Sequence, residues 1–199
     1  MRSKHLIPIA VLAFAAACSD TATSPTSVTS VNRPQFLVSP ATYGTGALTN
    51  TSIAALPSGG HLQSGSVFCV VASDLSITCS STGDYFINGV GHTDATGTLN
   101  ASYSATVRCR NHGGQIVDVK TQFPTTTGGT FHPSRKNGSL DVPPITVGAP
   151  TAGDFESAAT CPNNNWTKSV LPGTPTLDSF SYTLQFAGFA EATVSIAAS

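Results

Sequence analysis

Apolar positions recur mostly at every second residue along this chain. From Thr98 to Cys109, one face carries Leu99, Ala101, Tyr103, Ala105, Val107 and Cys109, and the other carries Thr98, Asn100, Ser102, Ser104, Thr106 and Arg108. A period of two sustained over such a run predicts a strand buried on one side. Val117, Val119, Thr121 and Phe123 alternate in the same way with Ile116, Asp118, Lys120 and Gln122. Between these runs, Asn111-His112-Gly113-Gly114 is a turn signal. Phe180, Tyr182, Leu184 and Phe186 alternate with polar residues, and after Gly188 so do Ala190, Ala192, Val194 and Ile196. Beyond the N-terminal segment no stretch sustains a period of 3.6. The pattern predicts an all-β domain, an immunoglobulin-like antiparallel β-sandwich, over residues 36–199.

The N-terminus departs from this pattern. Arg2 and Lys4 precede the apolar run Leu6–Ala17, which ends at Cys18. Twelve helical residues span about 18 Å, well short of the roughly 30 Å of a bilayer core. A basic start, a short apolar run and small residues before a cleavage point describe a signal peptide, residues 1–17. Ala15-Ala16-Ala17-Cys18 resembles the bacterial lipoprotein signal, in which the cysteine becomes the first mature residue and carries lipid. That pattern prefers Leu where Ala15 stands, and the same residues also fit ordinary A-x-A cleavage, which would leave Cys18 a free thiol. Lipidation at Cys18 implies attachment to a membrane. Ser19, rather than Asp, after the cysteine leans toward the outer membrane.

Residues 18–35 form the expected lipid-anchored linker. In Ser19–Pro34, eight of sixteen residues are Ser or Thr and none is aromatic. Such a segment buries too little to offset its ordering entropy, and it reaches about 50 Å when extended.

Five cysteines occur: Cys18, Cys69, Cys79, Cys109 and Cys161. An odd count in an exported protein calls for an explanation, and lipid on Cys18 leaves an even set suited to an oxidising compartment. In CVVASDLSITC, a hairpin centred on Asp74 places Cys69 opposite Cys79 and Val71 opposite Ile77. Cys109 and Cys161 then pair by elimination, although four cysteines admit three pairings. The spacings lack the close ligand pairs of zinc sites and the C-x-x-C of redox motifs.

The pair Cys69…Cys79, the stretch GVGHTDATGTLNASYSATVRCRNHGG and CPNNNWT at Cys161–Thr167 together resemble a group of small secreted bacterial β-proteins. In that group a Gly-x-Gly turn leads into a long alternating strand ending at a cysteine, and Asn-x-Gly-Gly and Cys-Pro-Asn…Trp-Thr follow. The resemblance covers about Ser66 to Thr167 and implies export and a sandwich-like fold, not an activity. An immunoglobulin domain has its tryptophan between two distant cysteines, whereas Trp166 follows the last cysteine. Trp166 is expected to anchor the core beside the Cys109–Cys161 bridge.

Composition narrows the functional classes. Without the signal segment the balance is seven basic against ten acidic residues, with no basic stripe, which argues against nucleic acid. His92-Thr93-Asp94 could set an imidazole and a carboxylate on one strand face, but no further ligand declares itself. His61, His112 and His132 read as loop residues. Asp74, Asp84, Asp94, Asp118, Asp141, Asp154 and Asp178 are scattered without a calcium-loop pattern, and no G-x-S-x-G, H-E-x-x-H or phosphate loop occurs. Asn50, Asn137 and Asn165 begin N-x-S/T triplets that a Ser/Thr-rich chain produces by chance. No catalytic residue, metal site or cofactor is expected. The expectation is a non-catalytic binding or structural module of the cell envelope, meeting the membrane through Cys18 and an envelope protein or glycan through its fold. The alternatives are a polysaccharide hydrolase, which requires two carboxylates about 5–10 Å apart, and a subunit of an envelope complex, which requires an exposed apolar patch. The face bearing Thr98, Asn100, Ser102, Ser104 and Thr106 is the polar surface on which binding is to be sought.

Overall fold

The computed structural model describes residues 41–44, 55–62, 66–81, 86–134 and 137–199. The expected signal segment, Cys18 and the linker lie outside these residues, as do Asn50 and Asp84. In chain order the described elements are β1 (Ala41–Gly44), β2 (His61–Leu62), β3 (Val67–Val71), β4 (Ile77–Ser81), β5 (Phe86–Asn88), β6 (Ala95–Arg110), β7 (Ile116–Phe131), β8 (Leu140–Asp141), β9 (Ile145–Val147), α1 (Ala152–Ala158), β10 (Thr167–Val170), β11 (Thr176–Phe186) and β12 (Val194–Ala198). All the pairings among the described strands are antiparallel.

The fold is an antiparallel β-sandwich with two disulfides. One sheet runs β1-β3-β4-β9, and β2-β5-β8 form a small third sheet. The larger sheet is built on β6. Its whole length pairs with β7, while its other edge pairs first with β11 over 95–104 and then with β10 over 107–110; β12 lies beyond β11. The inward residues of β6 read from the alternation, Leu99 through Cys109, are all buried, as are Phe180, Tyr182, Leu184 and Phe186 of β11. Apart from Cys109, they join Val67, Val71, Ile77, Ile145 and Val147 from the facing sheet in one core.

Two turns follow the glycine signals. Gly89 and Gly91 of the Gly-x-Gly segment both take positive φ, and Gly114 does so in the turn that joins β6 to β7. The β3–β4 turn is less expected, because Leu75 sits at φ 67° where glycine is usual. The left-handed conformation costs roughly 1–2 kcal/mol for a residue with a side chain. Three contacts offset that cost: the Leu75 side chain is buried, its carbonyl accepts from Tyr103 Oη at 3.0 Å, and Asp74 Oδ1 accepts from Ser76 N at 3.0 Å.

Five features differ from the pattern reading, one being that the alternation read from Ala190 is a strand only from Val194, with Ala190 exposed. β7 does not stop at Phe123 but continues through Pro124 and the glycines to Phe131. Among the described strands β7 pairs only with β6, and an edge strand tolerates proline because its outward N–H positions need no partner. The seven-residue α1 is too short to reveal a helical period. It is stabilised by a capping box in which Asp154 N donates to Thr151 Oγ1 and Thr151 N donates to Asp154 Oδ2. Ser104, read as exposed, is only 3% exposed and donates to Asp178 Oδ1 at 2.8 Å, because a bulge between Leu177 and Ser179 turns Asp178 onto it. Trp166 is half-buried in the turn before β10 and stands outside the core. Its neighbour Thr167 pairs with Arg110 at the far end of β6, where Thr167, Lys168 and Ser169 are all exposed.

α1 packs over β6 and β7 through the fully buried Phe155, which meets Phe123 edge-on at 6.1 Å between ring centres. On this inner side of β7, Thr121 is 6% exposed and its Oγ1 has no hydrogen-bond partner. An unsatisfied buried hydroxyl is costly, and valine has nearly the same shape. Thr121→Val is therefore expected to stabilise the protein by about 1 kcal/mol. Denaturant unfolding of the two proteins checks this; a destabilised variant would mean that the hydroxyl has a partner in solution.

Candidate functional site

The four described cysteines form the two expected bridges. Cys69 stands directly opposite Cys79 with Val71 opposite Ile77, and the bridge spans a Cα–Cα distance of 3.9 Å. Cys109 at the end of β6 joins Cys161 after α1 at a Cα–Cα distance of 5.8 Å. Cys69–Cys79 links neighbouring strands of one sheet, and Cys109–Cys161 ties β6 to a loop. Neither is the bridge between sheets that immunoglobulin domains use.

The scattered polar candidates assemble only in pairs. His92 is exposed, and it and Asp94 lie in the segment before β6 rather than on a strand face. Instead His132 Nδ1 donates to Asp94 Oδ1 at 2.8 Å, joining the end of β7 to the start of β6 at an exposed position. Asp118 accepts two 2.9 Å hydrogen bonds from Arg108 across the β6–β7 pair. These hydrogen bonds hold the Asp118 carboxyl below its ordinary range and raise the Arg108 guanidinium. Asp154 caps α1, and Asp178 is engaged by Ser104 and Thr176. Among the described residues no three His, Cys, Asp or Glu side chains gather in a way that could hold a metal ion.

A groove with the dimensions of a binding site lies on the outward face of the larger sheet. It has a volume of about 600 Å³ and crosses four strands at one level, over residues 124–126 of β7, 100–102 of β6, 179–181 of β11 and 197–199 at the end of β12. The register places Thr126 beside Asn100, Asn100 beside Ser181 and Ser181 beside Ala197; the next row sets Pro124 beside Ser102 and Ser102 beside Ser179. The floor is low because its outward side chains are small. Asn100 is held at the centre: its Oδ1 accepts from Thr126 Oγ1 at 2.8 Å, and its Nδ2 donates to Ser181 Oγ at 3.4 Å. No charged side chain lines the groove.

A second hollow, of about 770 Å³, lies by the small sheet and is lined by residues that include His61, Asn88, Ser139 and Asp141. Its polar groups are largely engaged with one another: Ser139 Oγ donates to Asn88 Oδ1, Ser134 Oγ donates to Asn137 Oδ1, and His61 Nδ1 contacts Gly59 O. Gly89 in its wall is fixed by close packing, since a Cβ there would stand 2.3 Å from the Gly59 carbonyl oxygen.

The polar face of β6 was legible in the sequence, but the groove was not. It needs Pro124, Ser179, Ser181 and Ala197 from strands distant in the chain, and no local signal marks them as neighbours. Among the described residues no helix is long and apolar enough to cross a membrane. No protein-family model matches this chain, and no curated protein or solved structure matches it.

Proposed function

We propose that this protein is an exported, lipid-anchored, non-catalytic binding module of the bacterial cell envelope, held through Cys18 and probing its surroundings with the β-sandwich. The observation that carries this reading is the cysteine arithmetic. Two bridges consume Cys69, Cys79, Cys109 and Cys161, leaving Cys18 as the one cysteine outside them, at the end of a signal-like segment. An exported domain stapled in this way suits an oxidising compartment. Several acyl chains on Cys18 would hold it firmly, at about 0.8 kcal/mol per buried methylene. The 18–35 linker would let the domain stand off the membrane, and the lean toward the outer membrane rests on Ser19.

Binding is preferred to polysaccharide hydrolysis because none of the described cavities is lined by two carboxylates. It is preferred to a subunit role because the exposed large apolar residues among those described, Tyr43, Ile116 and Val117, do not amount to a broad patch.

The mass of the peptide beginning at Cys18, read from unreduced protein made in a Gram-negative host, tests the anchor. Acyl chains on Cys18 and retention in the membrane fraction are expected, with Cys18→Ala released. An unmodified Cys18 on a soluble protein would overturn the anchored reading.

A further inference from the structure

We infer that the groove across β7, β6, β11 and β12 binds an uncharged oligosaccharide segment laid across the strands. This rests on the binding-module reading above and names its ligand class. Four strands at a spacing of about 4.8 Å span roughly 14 Å, a length suited to a short run of sugar units rather than to one.

The lining matches a sugar in polarity and charge. Ser102, Ser179 and Ser181 present hydroxyls able to donate and to accept, and Thr126, whose proton goes to Asn100, presents a hydroxyl oxygen that can accept. The Asn100 amide carries two donors and two acceptor sites, and its contacts with Thr126 and Ser181 use one of each. The remaining donor and acceptor are the pair that adjacent sugar hydroxyls take up. Pro124 at one end and Ala197 towards the other are exposed and apolar, suited to the C–H face of a pyranose ring. A smaller hollow beside the exposed Tyr43 shares Ser179, Phe180, Ala198 and Ser199 with the groove and extends it toward an aromatic ring. Tyr43 is itself steadied edge-on against Phe180 at 5.2 Å between ring centres.

Charge decides against the other polymers. No Lys or Arg lines either the groove or its extension, so phosphates and uronates would meet no counter-charge. One carboxylate, Asp178, lines the extension; it accepts from Ser104 at 2.8 Å and Thr176 at 3.2 Å and would repel rather than attract an anionic polymer. Toward the start of β6 the next rows, carrying Thr98, Thr183 and Ser195 and then Thr96, Thr130 and Gln185, are uncharged; in the other direction Lys120 stands two rows from Ser102, outside the lining of the groove.

The test uses the full exported protein, in detergent where it carries lipid. The probes are neutral oligomers (β-1,4- and α-1,4-linked glucose, β-1,4-linked N-acetylglucosamine, and mannose) with galacturonate oligomers as the acidic counterpart. Titration calorimetry is expected to find at least one neutral oligomer bound with Kd below about 1 mM. Hydrogen exchange is expected to show protection at 100–102, 124–126 and 179–181. Asn100→Ala and Ser102→Trp should each weaken binding at least about tenfold, while Thr96→Ala, farther along the same face, leaves it unchanged. No neutral oligomer reaching that Kd, preference for the acidic oligomers, or protection confined to another surface overturns the proposal; the wild-type map holds whether or not the variants fold. Lipidated Cys18 with no sugar binding would remove the groove assignment alone, and sugar binding with unmodified Cys18 would remove the anchor alone.

Discussion

Replacing Cys109 and Cys161 together by alanine is expected to cost about 4 kcal/mol of folding stability. The bridge closes a separation of 52 residues, and the chain-entropy model gives that value for a loop of this length. Opening Cys69–Cys79, separated by 10 residues, is expected to cost less, about 3 kcal/mol on the same model. The first bridge has a further local task. It ties the segment after α1 to the end of β6, where Lys168 Nζ donates to the Ala159 carbonyl at 2.7 Å and Val170 N donates to Glu156 Oε1 at 3.3 Å. Loss of the bridge should therefore loosen α1 and β10 before the rest of the sandwich. Urea unfolding of the two double variants measures the costs, and hydrogen exchange at 152–170 measures the local opening. Equal costs for the two bridges would contradict the loop-length account. With both bridges reduced, the combined loss approaches the whole stability of an ordinary domain, about 5–15 kcal/mol, so the reduced protein is expected to be largely unfolded at body temperature.

Alkaline pH is the second strong perturbation. Tyr103 and Tyr182 are both buried, and burial pushes each phenol up to about 12; Asp74 adds to the rise at Tyr103. In the unfolded chain both titrate near 10. Between these values the unfolded chain has released protons that the folded chain retains, so stability falls as pH rises. The slope is at most about 1.4 kcal/mol per pH unit for each tyrosine, and it is absent well below pH 10. Denaturant unfolding between about pH 8 and 11 should show a flat region followed by this decline. Tyr182→Phe should roughly halve the slope. Tyr103→Phe should also halve it, and should lower stability at neutral pH as well, because the hydrogen bond to the Leu75 carbonyl is lost. A decline unaltered in both variants would assign it to other groups.

How much was legible in the sequence depended on the range of the signal. Alternation is local, so the buried faces of β6 and β11 followed from Leu99–Cys109 and Phe180–Phe186 alone. The Cys69–Cys79 pairing followed for the same reason, since a turn centred on Asp74 sets the cross-strand partner of every residue beside it. The Pro124–Thr130 part of β7 was hidden because proline and glycine are turn signals unless a strand is known to lie at an edge. α1 left a trace in Thr151 and Asp154, a spacing that also occurs widely outside helices.

The sequence by itself determined an all-β domain and which faces of its principal strands are buried, and it favoured the pairing of Cys69 with Cys79, because each depends on residue type and on neighbours close along the chain. Tertiary structure decided the rest. It turned Ser104 inward onto Asp178, left Trp166 outside the core, paired His132 with Asp94 across 38 positions, and laid Pro124, Asn100, Ser181 and Ala197 side by side. The physical reason is strand pairing. Hydrogen-bonded register and a single bulge fix which distant side chains become neighbours, and no periodicity within one strand carries that information.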